Sequence, residues 1–148
     1  VMSADLGTRI YYAAHGSFDT HTAELVNHAV LWDQLSAAVQ CFTDDLKQLG
    51  KSEETVIWMF SEFGRRIADN GAGTDHGSGG AAFVIGDSVK GGLYGEYPKL
   101  GLADQLEGDV RFNTDFRQIY ATLLEDVLDV ESEPVLKKKF DKIDLVRN

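Results

Sequence analysis

The spacing of apolar residues along the chain predicts alternating strands and helices. Residues 8–14, TRIYYAA, carry β-branched and aromatic side chains and end at a His-Gly pair, which favours a strand that closes in a loop. Over residues 22–49 the apolar positions recur at helical spacing, and Gly50 follows as a stop signal. Residues 55–60 form a nearly continuous apolar run, typical of a strand covered on both faces in a parallel sheet. This order predicts a right-handed βαβ crossover.

The second half of the chain predicts a third strand and a capped helix. The run AAFVIG, residues 81–86, follows a glycine-rich link with at most one helical turn at 65–69, so we expect this strand to lie antiparallel to the second. The stretch DFRQIYATLLEDVL has an apolar stripe, and Asn113-Thr114 offers its N-cap. After Pro134 we expect a terminal piece that lies against the core with its charges in water.

Length and composition limit the classes of protein that fit. A chain of 148 residues with 43% hydrophobic and 26% charged residues suits one globular domain, here residues 1–148. No apolar run approaches the roughly 20 residues of a membrane helix, so we expect no transmembrane segment. The formal net charge of -10 would repel a phosphate backbone, so we expect no nucleic-acid partner. The predicted fold class is α/β, with a mostly parallel sheet flanked by helices.

Acidic and imidazole side chains fall where the predicted strands begin or end, which is the edge where open α/β sheets bind ligands. These side chains are His15, Asp19, His21, Glu62, Asp75 and His76. Mixed carboxylate and imidazole ligands favour zinc, manganese or iron over magnesium or calcium. From spacing alone two interpretations stay open, a divalent metal site or hydrogen-bonded loop contacts.

Other polar groups in the same region are ambiguous. Arg65 and Arg66 match the geometry of a tetrahedral anion, yet adjacent arginines in a loop are also common surface charges. Three hydroxyls lie nearby, on Ser17, Thr20 and Ser61, but none stands in a strand-to-helix nucleophile elbow, and turn or capping roles are favoured. The sequence therefore indicates no nucleophile.

Four stretches together resemble successive landmarks of a bacterial family called domain of unknown function 1501. They are GSFDTH, FSEFGRRIADNGAGTDHG, VKGGLYGEYPKL and TDFRQIYATLLEDVL, and they span Phe18 to Leu128 in the family's order. That family is grouped with the alkaline phosphatase and sulfatase superfamily. The resemblance implies an alkaline-phosphatase-like fold, one or two divalent metal ions, and hydrolysis of a small phosphate or sulfate ester.

The resemblance also implies roles for particular residues. Asp19 and His21 would be the metal ligands that follow one strand, Glu62 the acidic ligand that ends the next, and His76, with Asp75, the later pair. The first pair is spaced more tightly than the Asp-x-x-x-His of the phosphatases. In addition, Phe63 stands where many relatives have a metal-binding His. Both departures count against a two-metal centre.

The resemblance covers a C-terminal portion of the superfamily fold. The chain starts VMSADLG, with Val ahead of Met, and the superfamily's early Asp and its nucleophile would precede this point. We therefore expect association with a missing N-terminal half or with another chain. Family members often carry export signals, which suggests a location outside the cytoplasm. The alternative function is a non-catalytic binding or assembly module that keeps the fold and at most a structural metal.

Overall fold

Most of the regular structure lies between residues 24 and 136. The structure is a computed structural model and describes residues 2–4 and 6–147. The helices and strands, in chain order, are α1 (Glu24–Gln48), β1 (Ile57–Met59), β2 (Gly64–Asp69), β3 (Thr74–Gly77), β4 (Phe83–Ile85), α2 (Phe116–Thr122) and α3 (Ser132–Leu136). A π-helical turn, Leu123–Val127, continues α2, and 3-10 turns occupy Met2–Ala4 and Leu102–Asp104.

The strands form two separate antiparallel sheets of two strands each. β1 pairs with β4, with Trp58 opposite Val84, and β2 pairs with β3, with Arg65 opposite His76. The prediction of a mostly parallel sheet in an alkaline-phosphatase-like α/β fold is therefore wrong, because every ladder between the described strands is antiparallel. No helix connects parallel strands in the part of the chain that the structure describes.

The first predicted strand, at residues 8–14, is wrong as well. This segment has no regular secondary structure, and its Ile10 and Tyr12 side chains are 70% and 82% exposed. High β-propensity expresses how well a side chain packs on a half-buried pleated surface, and these side chains have no such surface. The predicted βαβ crossover fails for the same reason, since no strand precedes α1 among residues 2–4 and 6–23.

The long helix is confirmed, with α1 at Glu24–Gln48 inside the predicted range. It ends where Gly50 adopts a positive φ of 66° and donates its N–H to the carbonyl of Lys47 at 3.1 Å, a common helix termination. Leu31 and Leu46 are buried, whereas Leu25 is 89% exposed. The helix thus buries a narrow stripe of its apolar surface.

The start of α1 contains an unfavourable residue. Ala23 is the N-cap at φ 48° and ψ 33°, and it offers no side-chain acceptor. Because glycine adopts this conformation without steric cost, we expect Ala23→Gly to raise the free energy of unfolding by about 1 kcal/mol. At the exposed mid-helix residue Ala37 the same change should lower it by about 1 kcal/mol. Urea unfolding measures both, and equal signs would contradict the prediction.

The antiparallel return of the third predicted strand is confirmed by β4, which lies inside residues 81–86 and pairs with β1. The link between them differs from the prediction, because residues 65–69 belong to strand β2 rather than to a helical turn. β2 and β3 form a hairpin whose loop is closed by the Asn70 N–H, which donates to the Gly73 carbonyl at 2.9 Å. This hairpin carries His76, one of the three residues of the candidate site.

A capping box starts α2 at Asp115, one residue after the predicted Asn113-Thr114 cap. The Asp115 carboxylate accepts the Arg117 N–H at 3.0 Å, and the Gln118 side chain accepts the Asp115 N–H at 3.3 Å. Side-chain hydrogen bonds from Arg117 are the main reason that the pKa of Asp115 lies below its ordinary value. The ionised Asp115 carboxylate therefore both caps the start of α2 and pairs with the Arg117 side chain.

Removing this cap is expected to weaken α2. Asp115→Ala should lower the free energy of unfolding by about 1 kcal/mol, while Asp115→Asn should lose less because it keeps an acceptor. Since the folded-state pKa is depressed, the advantage of the wild type over Asp115→Asn is present above the ordinary value of 3.8 and disappears as the pH falls through the folded-state pKa. Thermal unfolding between pH 3 and pH 7 tests this, and a difference that grows in acid would contradict it.

The segment after Pro134 lies against the core, as predicted. Leu145 and Val146 are buried, and Val146 forms a bridge with Val89. The Ile143 N–H donates to the Thr122 hydroxyl at 2.9 Å, which joins this segment to α2. Among the described residues, no helix has both the length and the apolar content to cross a membrane.

Candidate metal-binding site

Three side chains from two elements meet at one point of the surface. Asp19 and His21 lie in the loop before α1, and His76 lies in β3; each offers a ligand atom, and these atoms are all within 4.8 Å of one another. One oxygen, Asp19 Oδ1, is 2.6 Å from His76 Nε2 and 3.0 Å from His21 Nε2. The structure brings together these three of the five residues that the sequence analysis gives as metal ligands.

The loop that carries Asp19 and His21 has an unusual backbone. Ser17 and Ala23 both have positive φ, of 73° and 48°, and the Thr20 N–H donates to the Phe18 carbonyl at 2.9 Å. Thr20 is buried, whereas Asp19 and His21 on either side of it are exposed. Positive φ at residues other than glycine is uncommon and concentrates at functional sites.

Asp75 contacts the far side of the His21 ring. Its Oδ1 is 3.1 Å from His21 Nδ1, the nitrogen that does not face Asp19, and it accepts a hydrogen bond from Asn70 Nδ2 at 3.1 Å. The Asn70 amide also donates to the His21 carbonyl at 3.3 Å. A carboxylate on the second ring nitrogen fixes the orientation and tautomer of a ligating imidazole. In this structure Asp75 thus supports His21 and does not face the other ligands directly.

Hydrogen bonds lower the pKa of both carboxyl groups. For Asp19 the hydrogen bond with His76 is the largest cause, followed, in the lowering direction, by the charges of the two imidazoles. For Asp75 the hydrogen bond from Asn70 comes first and that with His21 second. Both groups are therefore ionised at neutral pH, and Asp19 places an anionic oxygen between two imidazoles.

The group is open to solvent on one side and bounded by an aromatic ring on the other. The side chains of Asp19 and His76 are 60% and 45% exposed. The Phe63 ring stacks on the His76 ring, with centroids 3.9 Å apart and planes 8° from parallel. Phe63 stands at the position where the resemblance implies a metal-binding His. Instead of a ligand it supplies an apolar contact that restricts rotation of the His76 ring.

Glu62 precedes Phe63 in the loop between β1 and β2 and is exposed. It does not belong to the three-residue group found among the described residues. Its predicted role as a ligand stays a prediction.

Arg65 and Arg66 both contact other protein groups. Arg65 donates to the carbonyls of Phe18 at 2.7 Å and of Thr74 at 2.8 Å. Arg66 donates to the carbonyl of Glu107 at 2.8 Å, and its Nε is 3.3 Å from a carboxylate oxygen of Asp109. Their predicted role in anion binding stays a prediction, and it requires N–H groups that these contacts leave available.

Sequence reasoning missed a supporting carboxylate beneath the site. Glu24, the first residue of α1, accepts the Thr74 N–H at 2.6 Å and the Thr74 hydroxyl at 2.8 Å. Partial burial alone would raise the pKa of Glu24, but the Thr74 hydrogen bonds and the charge of Arg65 lower it overall. Glu24 and Thr74 are 50 residues apart, and no sequence pattern indicates their contact.

The nearby hydroxyls have structural partners. Ser61 Oγ accepts the Phe63 N–H at 3.4 Å, as expected of a turn residue, and Thr20 Oγ1 accepts from Arg65 at 3.2 Å. His15 lies beside the site rather than in it, with Nδ1 3.0 Å from the Gly16 carbonyl. The site thus consists of two imidazoles and one carboxylate; an ion held by these three groups alone would have coordination positions left for water or a substrate.

Comparison with known proteins identifies a family. The sequence profile of the family described as "Protein of unknown function (DUF1501)" matches residues 1–136. A search of curated proteins and a search of solved structures returned no match. The wider grouping with alkaline phosphatases and sulfatases stays a prediction. Because the match covers most of the sequence, the chain belongs to this family of proteins of unknown function, DUF1501.

Proposed function

We propose that the chain binds one divalent transition-metal ion through Asp19, His21 and His76. The observation that supports this most is the shared position of Asp19 Oδ1 between two imidazole Nε2 atoms, at 2.6 and 3.0 Å. In a tetrahedral zinc site, bonds of about 2.0–2.1 Å place ligand atoms about 3.3 Å apart. An ion would therefore require Asp19 Oδ1 to separate by about 0.7 Å from the His76 nitrogen and by about 0.3 Å from the His21 nitrogen. Zinc, manganese and iron are the ions that suit this ligand set.

Stability alone is a poor explanation for the cluster. Exposed ion pairs contribute about 0–1 kcal/mol, because solvent screens them and the side chains lose conformational freedom. Here the paired side chains are about half exposed, and their loop contains Ser17 with a positive φ. A bound cation would stabilise this strained loop by more than the exposed hydrogen bonds alone do.

The chemistry that we propose is hydrolysis of a small phosphate or sulfate ester. A bound metal ion polarises a phosphoryl or sulfuryl oxygen and lowers the pKa of a coordinated water. The open side of the site leaves room for an ester, and the ion would offset locally the net charge of -10, which otherwise repels anions. Glu62 is proposed as a further metal ligand, and Arg66 as a contact for the substrate anion.

A non-catalytic binding or assembly module is the second candidate. Large apolar side chains outside the three-residue group are exposed, among them Tyr12, Leu25, Leu93 and Tyr97, each more than 80% exposed. Extensive exposed apolar surface marks sites of interaction with other proteins. This function requires the fold but no turnover, and it is compatible with a structural metal ion at the same three residues.

Metal content and turnover of the purified protein separate these candidates. We expect elemental analysis and calorimetric titration with Zn²⁺, Mn²⁺ and Co²⁺ to give one equivalent of metal per chain. Turnover of aryl phosphate or aryl sulfate that depends on the metal would support the hydrolase, whereas stoichiometric metal without turnover would support the module. A protein that binds none of these ions at micromolar concentration would overturn the metal site.

A further inference from the structure

We infer that Arg65 is a positioning residue, which joins the loop carrying Asp19 to the strand carrying His76. The inference deepens the proposed function and rests on it for the identity of the ligands. It assigns Arg65 a role that differs from anion binding, because the guanidinium acts through the main chain on both sides of the site.

The contacts of Arg65 bracket Asp19 along the chain. Nη2 donates to the Phe18 carbonyl at 2.7 Å and to the Thr20 hydroxyl at 3.2 Å, which are the residues immediately before and after Asp19. Thr20 is buried, so this anchor lies beneath the exposed ligands. The backbone of Asp19 is therefore held from both neighbours by a single nitrogen atom.

The other side of the guanidinium holds β3. Nη1 donates to the Thr74 carbonyl at 2.8 Å, two residues before His76, and Arg65 itself stands opposite His76 in the β2–β3 ladder. The guanidinium plane thus spans the two segments that supply the ligands. A planar fork with several fixed donors suits this bridge, whereas the single ammonium of lysine does not reach all the acceptors at once.

The mostly buried carboxylate of Glu24 lies beside the Arg65 guanidinium. Glu24 Oε1 is 3.7 Å from Arg65 Nε, and the two side chains are 15% and 19% exposed. Glu24 also accepts hydrogen bonds from Thr74, so loop, helix and strand converge on one charged pair. With these N–H groups directed at protein acceptors, a substrate anion would have to compete with main-chain carbonyls for Arg65.

The test compares Arg65→Gln with Arg111→Gln, since Arg111 also donates to two main-chain carbonyls but lies outside the site. In the metal-free protein, ¹⁵N chemical shifts of the imidazoles report the hydrogen bond between Asp19 and His76. We expect Arg65→Gln to remove this signature and to weaken Co²⁺ binding by about 10- to 100-fold, as outer contacts of metal sites do. Arg111→Gln should keep the signature and stay within about twofold of the wild-type affinity.

Further measurements separate a positioning role from loss of folding. Circular dichroism and thermal unfolding show whether Arg65→Gln is folded. If it is not, Thr20→Val is the second variant, because it removes one acceptor of the Arg65 guanidinium. It should move the His76 imidazole signals and the Co²⁺ absorption bands in the direction expected for Arg65→Gln. Arg65→Lys should restore part of the affinity. Unchanged imidazole shifts in folded Arg65→Gln would overturn the inference. If the wild-type protein binds no metal, the proposed function is rejected. If Arg65→Gln still loses the imidazole hydrogen-bond signature in that case, the positioning role of Arg65 is retained.

Discussion

Replacing His76 with alanine is expected to lower the affinity for Zn²⁺ or Co²⁺ by at least about 100-fold, since losing even an outer contact of a metal site typically costs 10- to 100-fold. His76 supplies one of the three ligand atoms, and Asp19, which shares its 2.6 Å contact, would keep only His21 as a neighbour in the group. Calorimetric titration gives the affinity, and the visible absorption bands of Co²⁺ report the loss of a nitrogen ligand.

The matched control is His15→Ala, which removes an exposed imidazole from the same surface region. His15 contacts the carbonyl of Gly16 and does not belong to the ligand group found in the described part of the chain. We expect its affinity to stay within about twofold of the wild type, because its ring leaves the first coordination sphere untouched. Equal losses in both variants would point to non-specific binding, and no loss in His76→Ala would reject this residue as a ligand.

Gly64→Ala is expected to lower the free energy of unfolding by about 3 kcal/mol, the upper part of the range for overpacked sites. A Cβ atom at Gly64 would lie 1.9 Å from the carbonyl oxygen of Gly79 and 2.4 Å from its carbonyl carbon. Both obstacles are main-chain atoms, so no side chain can rotate away, and β2 would have to move from the segment that follows β3.

Gly91→Ala is the control for this substitution. An added Cβ at Gly91 meets no atom within 4 Å, and the residue has no positive φ, so its change in unfolding free energy should remain within about 0.5 kcal/mol. Urea unfolding followed by tryptophan fluorescence measures both variants. A Gly64→Ala protein as stable as Gly91→Ala would mean that β2 and the Gly79 segment do not pack as closely as described.

Elements whose stability depends on local pattern were predictable from the sequence. The apolar repeat that predicts α1 and the Gly50 stop are both confirmed, because helix periodicity and termination are encoded within neighbouring residues. The antiparallel return of β4 followed from a link without a crossover helix. The meeting of Asp19 and His76, 57 residues apart, was expected from their places beside apolar segments, although the sheet that brings them together differs from the expected one.

Elements that depend on partners were not predictable in this way. Residues 8–14 have the composition of a strand, but composition cannot supply a neighbouring strand. The β2–β3 hairpin had a local signal in Asn70-Gly71, a pair typical of hairpin turns, which the surrounding glycines obscured. The hydrogen bond from Arg65 to Phe18 joins residues 47 apart through a main-chain carbonyl. Every residue has such a carbonyl, so the sequence does not indicate which one accepts the bond.

The solvent exposure of the three ligand side chains has a kinetic consequence. Because Asp19 and His76 are exposed to water, an ion bound as proposed would shed its hydration shell stepwise on arrival and regain it stepwise on departure. Exchange with the surrounding solution should therefore be rapid, and a chelator should strip the ion within seconds rather than hours. Occupancy in the cell would then follow the free concentration of the metal.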